Sequence, residues 1–354
     1  MYRANEILFR VSAGMDVGLG HLSRCMNIAC ELSKHYSISF FIETDTPEGV
    51  SLFLDGIAES ITFKNVFYFP IEEHSLDISR IVDYISENNA FLVLDHYRVD
   101  EDYQLSLKVA GVHWMQLDSH AAQVFYADIV QHGSPGATEE LYKNLHGTDS
   151  GIFLLGPKYV IVNNVYCTLH NTARVRKTLS RILVSFGGGY AKGALKKYIP
   201  HLATCFPTID FHIVFRGNHP DRSYLESIAN TQSNIHLYID YDDIPNLMLN
   251  CDLGILASGG MSYEAATLGL PLILIGIEDN QYINLKGCSD LGIACSLGTL
   301  SNVTPELLCK TITLLQTDIS RITEMSKQAL ENFDGKGVKR IAKVLEQTII
   351  SNIS

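Results

Sequence analysis

No apolar run in the sequence is long enough to span a bilayer: the longest, Leu268 to Ile277, is about half of the roughly 20 residues a membrane helix needs. Basic charge is also scarce. Lysine and arginine total 27 against 39 aspartates and glutamates, a formal net charge of −12. A surface that negative repels polyphosphate at long range, so neither nucleic acid nor stable membrane insertion is expected. The eight cysteines are dispersed, none in a Cys-x-x-Cys pair, and several sit inside apolar runs. They read as small hydrophobes in a reducing cytoplasm. A His-Glu-x-x-His helix, clustered cysteine and histidine spacing and a lysine-bearing Walker loop are all missing, so no metal and no cofactor are expected. The stretch from Met1 to Arg10, with charges at Arg3, Glu6 and Arg10, is strand-like and lacks the layout of a signal peptide.

What is present is a chain of 354 residues, 46% hydrophobic and 19% charged, with plenty to bury and a length that predicts two domains. Short β-branched runs alternate with segments of helical period, the pattern of parallel strands joined by crossover helices, so the fold class is α/β. The first half offers strands at 7–13, 38–43, 91–96, 112–117 and 128–130, with a final one at Tyr159 to Val162. Leu22, Cys25, Met26, Ala29 and Leu32 trace one helix face and Ile78, Ile81, Val82 and Ile85 another. A basic, aperiodic stretch with Arg174, Arg176, Lys177 and Arg181 reads as the linker. Strands then restart at 182–186, 212–215, 235–239, 253–257 and 272–275. Thr304-Pro305-Glu306 is a helix start. The expected architecture is two doubly wound, Rossmann-like domains, 1–172 and 173–354, facing a central cleft, with the last helix packing back toward the first domain. Ligands of such sheets bind beyond the carboxyl ends of the strands.

Three loops at those ends carry candidate chemistry. Gly18-Leu19-Gly20-His21 follows the first strand and opens a helix whose free N–H groups suit an anion or polar ligand. His21 would sit at the mouth of the cleft as a base, because a helix amino terminus disfavours an imidazolium; equally, it could simply cap the helix. Gly187-Gly188-Gly189 occupies the matching place in the second half. The third loop is Ser258-Gly259-Gly260-Met261, where two glycines let backbone approach a diphosphate that helix N–H groups can hold without a cationic side chain. Glu264, a turn further on, could accept the two hydroxyls of a ribose or merely complement the helix dipole. Asn280 and Gln281 offer amides at the end of the next strand. Asp95-His96-Tyr97 and Asp118-Ser119-His120 place more polar side chains along one sheet edge.

In combination these residues resemble the PseG family, UDP-sugar hydrolases of pseudaminic acid biosynthesis related to the MurG-like glycosyltransferases of GT-B fold. The resemblance is carried by Leu8-Phe9-Arg10, Gly18-x-Gly20-His21-x-x-Arg24-Cys25, Leu94-Asp95-His96-Tyr97, Ser185-Phe186-Gly187-Gly188, Gly259-Gly260 to Glu264, Leu268-Gly269-x-Pro271 and Asn280-Gln281. It implies hydrolysis of a UDP-linked diacetamido trideoxy altrose by water, without metal, in the synthesis of a nonulosonic acid for surface polysaccharide. His21 would be the general base, the Gly259-Gly260 helix start the diphosphate anchor and Glu264 the ribose acceptor, with Asn280 and Gln281 near sugar and phosphates. The chain departs from the family at Gly189-Tyr190, Asp118-Ser119 and Val130-Gln131-His132, so the resemblance reaches further for the nucleotide than for the sugar. An inverting glycosyltransferase using a UDP-sugar donor and a non-catalytic sugar-nucleotide binding protein are the alternatives. The sequence does not set an oligomeric state.

Overall fold

The computed structural model describes residues 4–14, 18–56, 61–70, 74–148, 150–187, 191–278 and 281–351. Among them the chain forms two parallel sheets. The first contains β1 (Glu6–Ser12), β2 (Ser37–Glu43), β3 (Asn65–Phe69), β4 (Ala90–Asp95), β5 (Trp114–Leu117), β6 (Ile129–His132) and β7 (Ile152–Leu155), in the spatial order β3-β2-β1-β4-β5-β6-β7. The second contains β8 (Arg181–Ser185), β9 (Asp210–Phe215), β10 (Ile235–Ile239), β11 (Leu253–Ala257), β12 (Leu272–Gly276) and β13 (Ala294–Thr299), in the order β10-β9-β8-β11-β12-β13. Every residue of β1 and β4 is buried, which is why these central strands are mostly apolar rather than alternating, with Glu6, Arg10 and Asp95 as buried charged exceptions.

Contacts divide the chain into two compact units, one of residues 1–133, 137–161 and 336–354, the other of 134–136 and 162–335. This departs from the expected bounds of 1–172 and 173–354. The expected linker belongs to the second unit, and within it Arg176 turns inward while Arg174, Lys177 and Arg181 stay exposed. Arg176 is wholly buried, and Arg174 pairs with Asp252 at 3.1 Å. The last helix, Gly337–Ser351, belongs to the first unit, where Ile341, Ala342, Leu345 and Ile349 join the core formed with Leu22, Cys25, Met26 and Ala29 of the helix Gly20–Leu32. Tyr159 to Val162 is not a strand. Gly156 turns the chain with φ at +84° and Pro157 opens a 3-10 turn, Pro157–Tyr159, so the last strand of the first sheet lies earlier, at β7. In each sheet the order reverses once, between β1 and β4 in the first and between β8 and β11 in the second. Connections leaving such a pair of strands diverge to opposite faces, opening a crevice at their carboxyl ends.

Candidate functional site

At the first crevice the loop after β1 leads into the helix Gly20–Leu32, whose start carries no side-chain cap. Gly18, at φ +77°, pairs with Gly14 in a two-residue bridge that brings the chain back onto the sheet. Asp95, the last residue of β4, faces this helix. Its Oδ1 lies 2.7 Å from Nδ1 of His21, and Arg24 donates to both carboxylate oxygens through Nε at 2.6 Å and Nη2 at 2.5 Å. The guanidinium and the His21 ring hold the Asp95 carboxyl well below the usual carboxylate range despite its burial. An ionised Asp95 can only accept, so Nδ1 of His21 is the donor and Nε2 is the ring nitrogen left with a lone pair. Arg24 Nη2 also approaches Nδ1 at 3.2 Å, but a nitrogen that gives its proton to Asp95 cannot accept from it.

His21 is less open than a residue at a cleft mouth. Its exposure is 8%, because the edge of the Tyr97 ring packs on it with centroids 4.4 Å apart. It nevertheless forms part of the wall of a cavity of about 550 Å³, together with Arg24, Asp95, His96, Tyr97, Asp118 and other residues of the first unit. Beneath that cavity lies a buried ionic cluster. Arg10 donates to Asp77 at 2.8 Å and to Glu43 at 2.8 Å, Arg98 pairs with Glu43, and the Tyr103 hydroxyl donates to Asp77 at 2.7 Å. His96 sits against this cluster with its pKa pushed well below the ordinary histidine value, first by burial and then by Arg10 and Arg98. It is a neutral member of the floor rather than a second base.

At the second crevice β11 ends in Ala257, and Ser258-Gly259 leads into the helix Gly260–Thr267. Gly259 is the cap residue with no side chain to cap with, and a Cβ added at Gly260 would meet nothing within 4 Å. The helix start is thus uncapped beside open space at Gly260; of its first three N–H groups, that of Ser262 turns back to the Gly259 carbonyl at 3.0 Å. Ser258 and Ser262 do not supply the cap. Both hydroxyls accept from Nδ2 of Asn284, at 3.0 and 3.1 Å, and Ser262 donates to the Gly259 carbonyl at 2.6 Å. Gln281 is oriented by Ile277 N–H donating to its Oε1 at 2.8 Å, which leaves Nε2 turned to the glycines, 3.9 Å from where a Gly259 Cβ would stand. Glu264 lies past the first turn, which contains no acidic residue, so dipole complementation does not account for it. Its one hydrogen-bond partner among the influences on its charge is the Tyr166 hydroxyl, and burial pushes its pKa up to about 7. The ionised acceptor expected from the sequence is thus half protonated near neutrality.

The structure brings His21, Arg24, Asp95 and Tyr97 together in the first unit with Gly18 and Gly20 at the same loop. It brings Ser258, Gly259, Gly260, Met261, Glu264 and Gln281 together in the second, with Gly187 ending the neighbouring strand at φ +94°. Gly188 and Asn280 lie outside the described residues. Sequence reasoning missed Asn284, which ties Ser258 to Ser262; an asparagine inside a helix, where its side chain competes with the backbone, was the available signal. It also missed Tyr166 and Tyr142, which carry no spacing signature at all. Among the described residues no group of three or more His, Cys, Asp or Glu side chains is arranged to hold a metal ion, and no helix is long and apolar enough to cross a membrane.

Two Rossmann-like units, each built on a parallel sheet, make this a GT-B fold. Residues 182–345 match the family model of the glycosyltransferase family 28 C-terminal domain. The chain is 21% identical over 338 residues to the spore coat polysaccharide biosynthesis protein SpsG of Bacillus subtilis, covering 94% of this chain and 95% of that one. It is 23% identical over 280 residues to the UDP-2,4-diacetamido-2,4,6-trideoxy-beta-L-altropyranose hydrolase of Campylobacter jejuni, covering 78% and 93%. A third relative, the uncharacterized protein MJ1062 of Methanocaldococcus jannaschii, is 22% identical over 290 residues, and the match spans 76% of this chain but only 55% of that relative's length. Among solved structures, Acinetobacter baumannii MurG is similar with a TM-score of 0.68 at 17% identity over 97% of this chain and 99% of that one. The Neisseria meningitidis UDP-GlcNAc 2-epimerase bound to UDP-GlcNAc is similar with a TM-score of 0.61 at 15% identity over 97% and 100%.

Proposed function

We propose that the protein hydrolyses a UDP-activated sugar to UDP and the free sugar, with His21 as the base that activates water. The observation that carries this reading is the His21–Asp95 pair at 2.7 Å on the wall of the first unit's cavity, with Nε2 of His21 left to take a proton. Water attacks the anomeric carbon from the face opposite the leaving group and its proton passes to Nε2. The bond from that carbon to the diphosphate oxygen breaks, and UDP leaves with the electron pair. A positioned base of this kind supplies about 10² to 10⁴ in rate. The N–H groups at the start of the helix Gly260–Thr267 would meet the charge that grows on the departing diphosphate. Glu264 would take the ribose hydroxyls, and Gln281 Nε2 a phosphate or sugar oxygen.

For the sugar we infer UDP-2,4-diacetamido-2,4,6-trideoxy-beta-L-altropyranose or a close relative, in the synthesis of pseudaminic acid or a related nonulosonic acid. The Campylobacter relative supports the substrate, and the Bacillus relative supports a role in polysaccharide synthesis. Incubation with a panel of UDP-sugars and no acceptor, in water enriched in heavy oxygen, should release UDP together with free sugar labelled at the anomeric position. Release that appears only when a hydroxyl acceptor is added would instead establish the second reading, an inverting glycosyltransferase. That reading is favoured by the match of residues 182–345 to a glycosyltransferase domain.

A further inference from the structure

The carboxyl ends of β5 and β6 carry a buried polar chain that the reaction above does not use. Asp118 follows β5, His132 ends β6, and Tyr142 ends the short helix Glu139–Tyr142. The side chains of Asp118 and His132 are 8% and 6% exposed, and Tyr142 is fully buried. The Tyr142 hydroxyl bonds Oδ2 of Asp118 and lies 2.7 Å from Nδ1 of His132.

An inventory of protons fixes the direction of each bond. Asp118 already accepts the backbone N–H groups of His120, at 3.1 Å, and Ala121, at 2.8 Å. An ionised carboxylate can only accept, so the single Tyr142 proton goes to Asp118 and the Tyr142 oxygen must accept from His132 Nδ1–H. Burial pushes the His132 pKa down to about 4, leaving a neutral ring in one tautomer. Burial and the Asp118 carboxylate raise the Tyr142 pKa far above the ordinary phenol value, so this hydroxyl is neither base nor nucleophile. The chain has one mechanical consequence. Asp118 closes the loop after β5 over Ser119, His120 and Ala121, the last held at φ +50°, and this loop supplies Ser119, His120 and Gln123 to the same cavity that His21 lines. The His120 ring also packs on Tyr97, at 5.9 Å, and Tyr97 on His21.

We propose that Tyr142, backed by His132, is a positioning residue that fixes the 118–123 loop so that Ser119, His120 and Gln123 select uncharged substituents on the sugar. The substituent class follows from the cations of the cavity. Arg24 is charge-paired with Asp95 and Arg98 with Glu43, so an acidic sugar would have to compete with those carboxylates for either guanidinium. The inference rests on the hydrolase reading for its substrate but not for its mechanics.

The test compares wild type with Tyr142→Phe, which retains the ring and removes one hydroxyl. The variant should raise KM for the acylated UDP-sugar about tenfold, the lower end of what one hydrogen bond to a charged acceptor is worth, with kcat and the Kd for UDP nearly unchanged. The preference for that sugar over UDP-glucose should shrink by the same factor. Backbone amides of residues 119–123 should exchange with deuterium about tenfold faster while the helix Gly260–Thr267 exchanges as before. His132→Asn, whose side-chain amide can replace the Nδ1–H donor, should behave as wild type, and His132→Leu as Tyr142→Phe. Unchanged exchange and unchanged preference in Tyr142→Phe overturn the proposal, as does an equal loss for every sugar together with weaker UDP binding. If the wild-type protein releases no UDP without acceptor, the hydrolase reading and the sugar selection fail together, and the exchange measurement decides the loop's role.

Discussion

Replacing Glu264 by glutamine should make the protein more stable and a poorer UDP binder, and the two effects have different pH signatures. Burial lifts the Glu264 carboxyl from 4.5 to about 7, and among the described residues the Tyr166 hydroxyl is the one group that opposes it. In the unfolded chain the group returns to its ordinary value. The folded protein therefore holds this proton more tightly than the unfolded one. Stability is greatest below the unfolded value, falls as pH rises from about 4.5 to 7, and stays at the lower level above that. At about 1.4 kcal/mol for each pH unit of displacement, the ionised carboxylate costs about 3 kcal/mol at pH 8. Glutamine fits the same space, still accepts from Tyr166 and carries no charge, so urea denaturation should show Glu264→Gln about 2 to 3 kcal/mol more stable than wild type at pH 8 and equal to it near pH 4.5. Hydrogen bonds to a charged acceptor are worth about 1.5 to 3 kcal/mol, so calorimetry should show UDP binding weakened by about 10- to 100-fold in the variant at pH 8. Wild type should itself bind UDP more weakly by about tenfold at pH 6, where Glu264 must give up a proton first. A variant that is no more stable than wild type at pH 8, or that binds UDP as tightly, refutes the reasoning.

His21→Ala should abolish acceptor-free turnover while the Kd for UDP changes by less than about twofold, because the proposed nucleotide anchor at Gly259 and Gly260 does not involve it; unchanged turnover removes His21 as the base. Asp95→Asn should lower kcat by about 10² to 10⁴ with the same UDP affinity, since an amide no longer enforces which ring nitrogen of His21 bears the proton. Arg176 donates to the carbonyls of Cys251, Arg174, Leu268 and Met248, with no carboxylate bonded to it. Arg176→Met should therefore cost about 3 kcal/mol in urea denaturation by stranding buried acceptors, and a smaller loss than about 1 kcal/mol would mean that water takes the guanidinium's place.

The central strands were legible because β1, β4, β8 and β11 are buried along most of their length and are rich in consecutive apolar residues. The glycines at their carboxyl ends were legible for the same reason, since a glycine pair directly after such a run has few structural duties. Of the edge strands, β10 was legible at 235–239, but β3, β7 and β13 were not. β3 is only partly buried along its length, and β13, with the sequence Ala-Cys-Ser-Leu-Gly-Thr, has small and polar residues and a register shift against β12. Pairings across the fold were invisible for a different reason. Asp95 meets His21 across 74 residues and Tyr142 meets Asp118 across 24, distances that no local periodicity encodes. Arg176 misled outright. Its basic neighbours suggested a solvated linker, whereas helix carbonyls at Met248 and Leu268 draw the guanidinium into the interior, where a positive charge complements the ends of two helices.

A chain with a net charge of −12 offers little long-range attraction to a diphosphate, and the proposed anchor, the helix Gly260–Thr267, shows what holding one with backbone gives up. Its cap residue is Gly259, with no side-chain hydrogen bond, and its first turn has no acidic residue. The serine next door, which could cap, is turned to Asn284 instead. Gly259 has φ at −127°, a conformation open to any residue, and an added Cβ would come no closer than 3.9 Å to Gln281. Nothing steric forbids a capping side chain there. Gly259→Ser should accordingly be neutral to slightly stabilising, by a few tenths of a kcal/mol, because its hydroxyl would satisfy an N–H group that is now open. The same bond would remove that N–H from the diphosphate, so UDP affinity should fall by about tenfold or more in calorimetry. If the serine variant instead binds UDP as wild type does, the helix start is not the anchor. The missing cap would then be an incidental weakness of the helix rather than the reason an acidic protein can accept an acidic ligand.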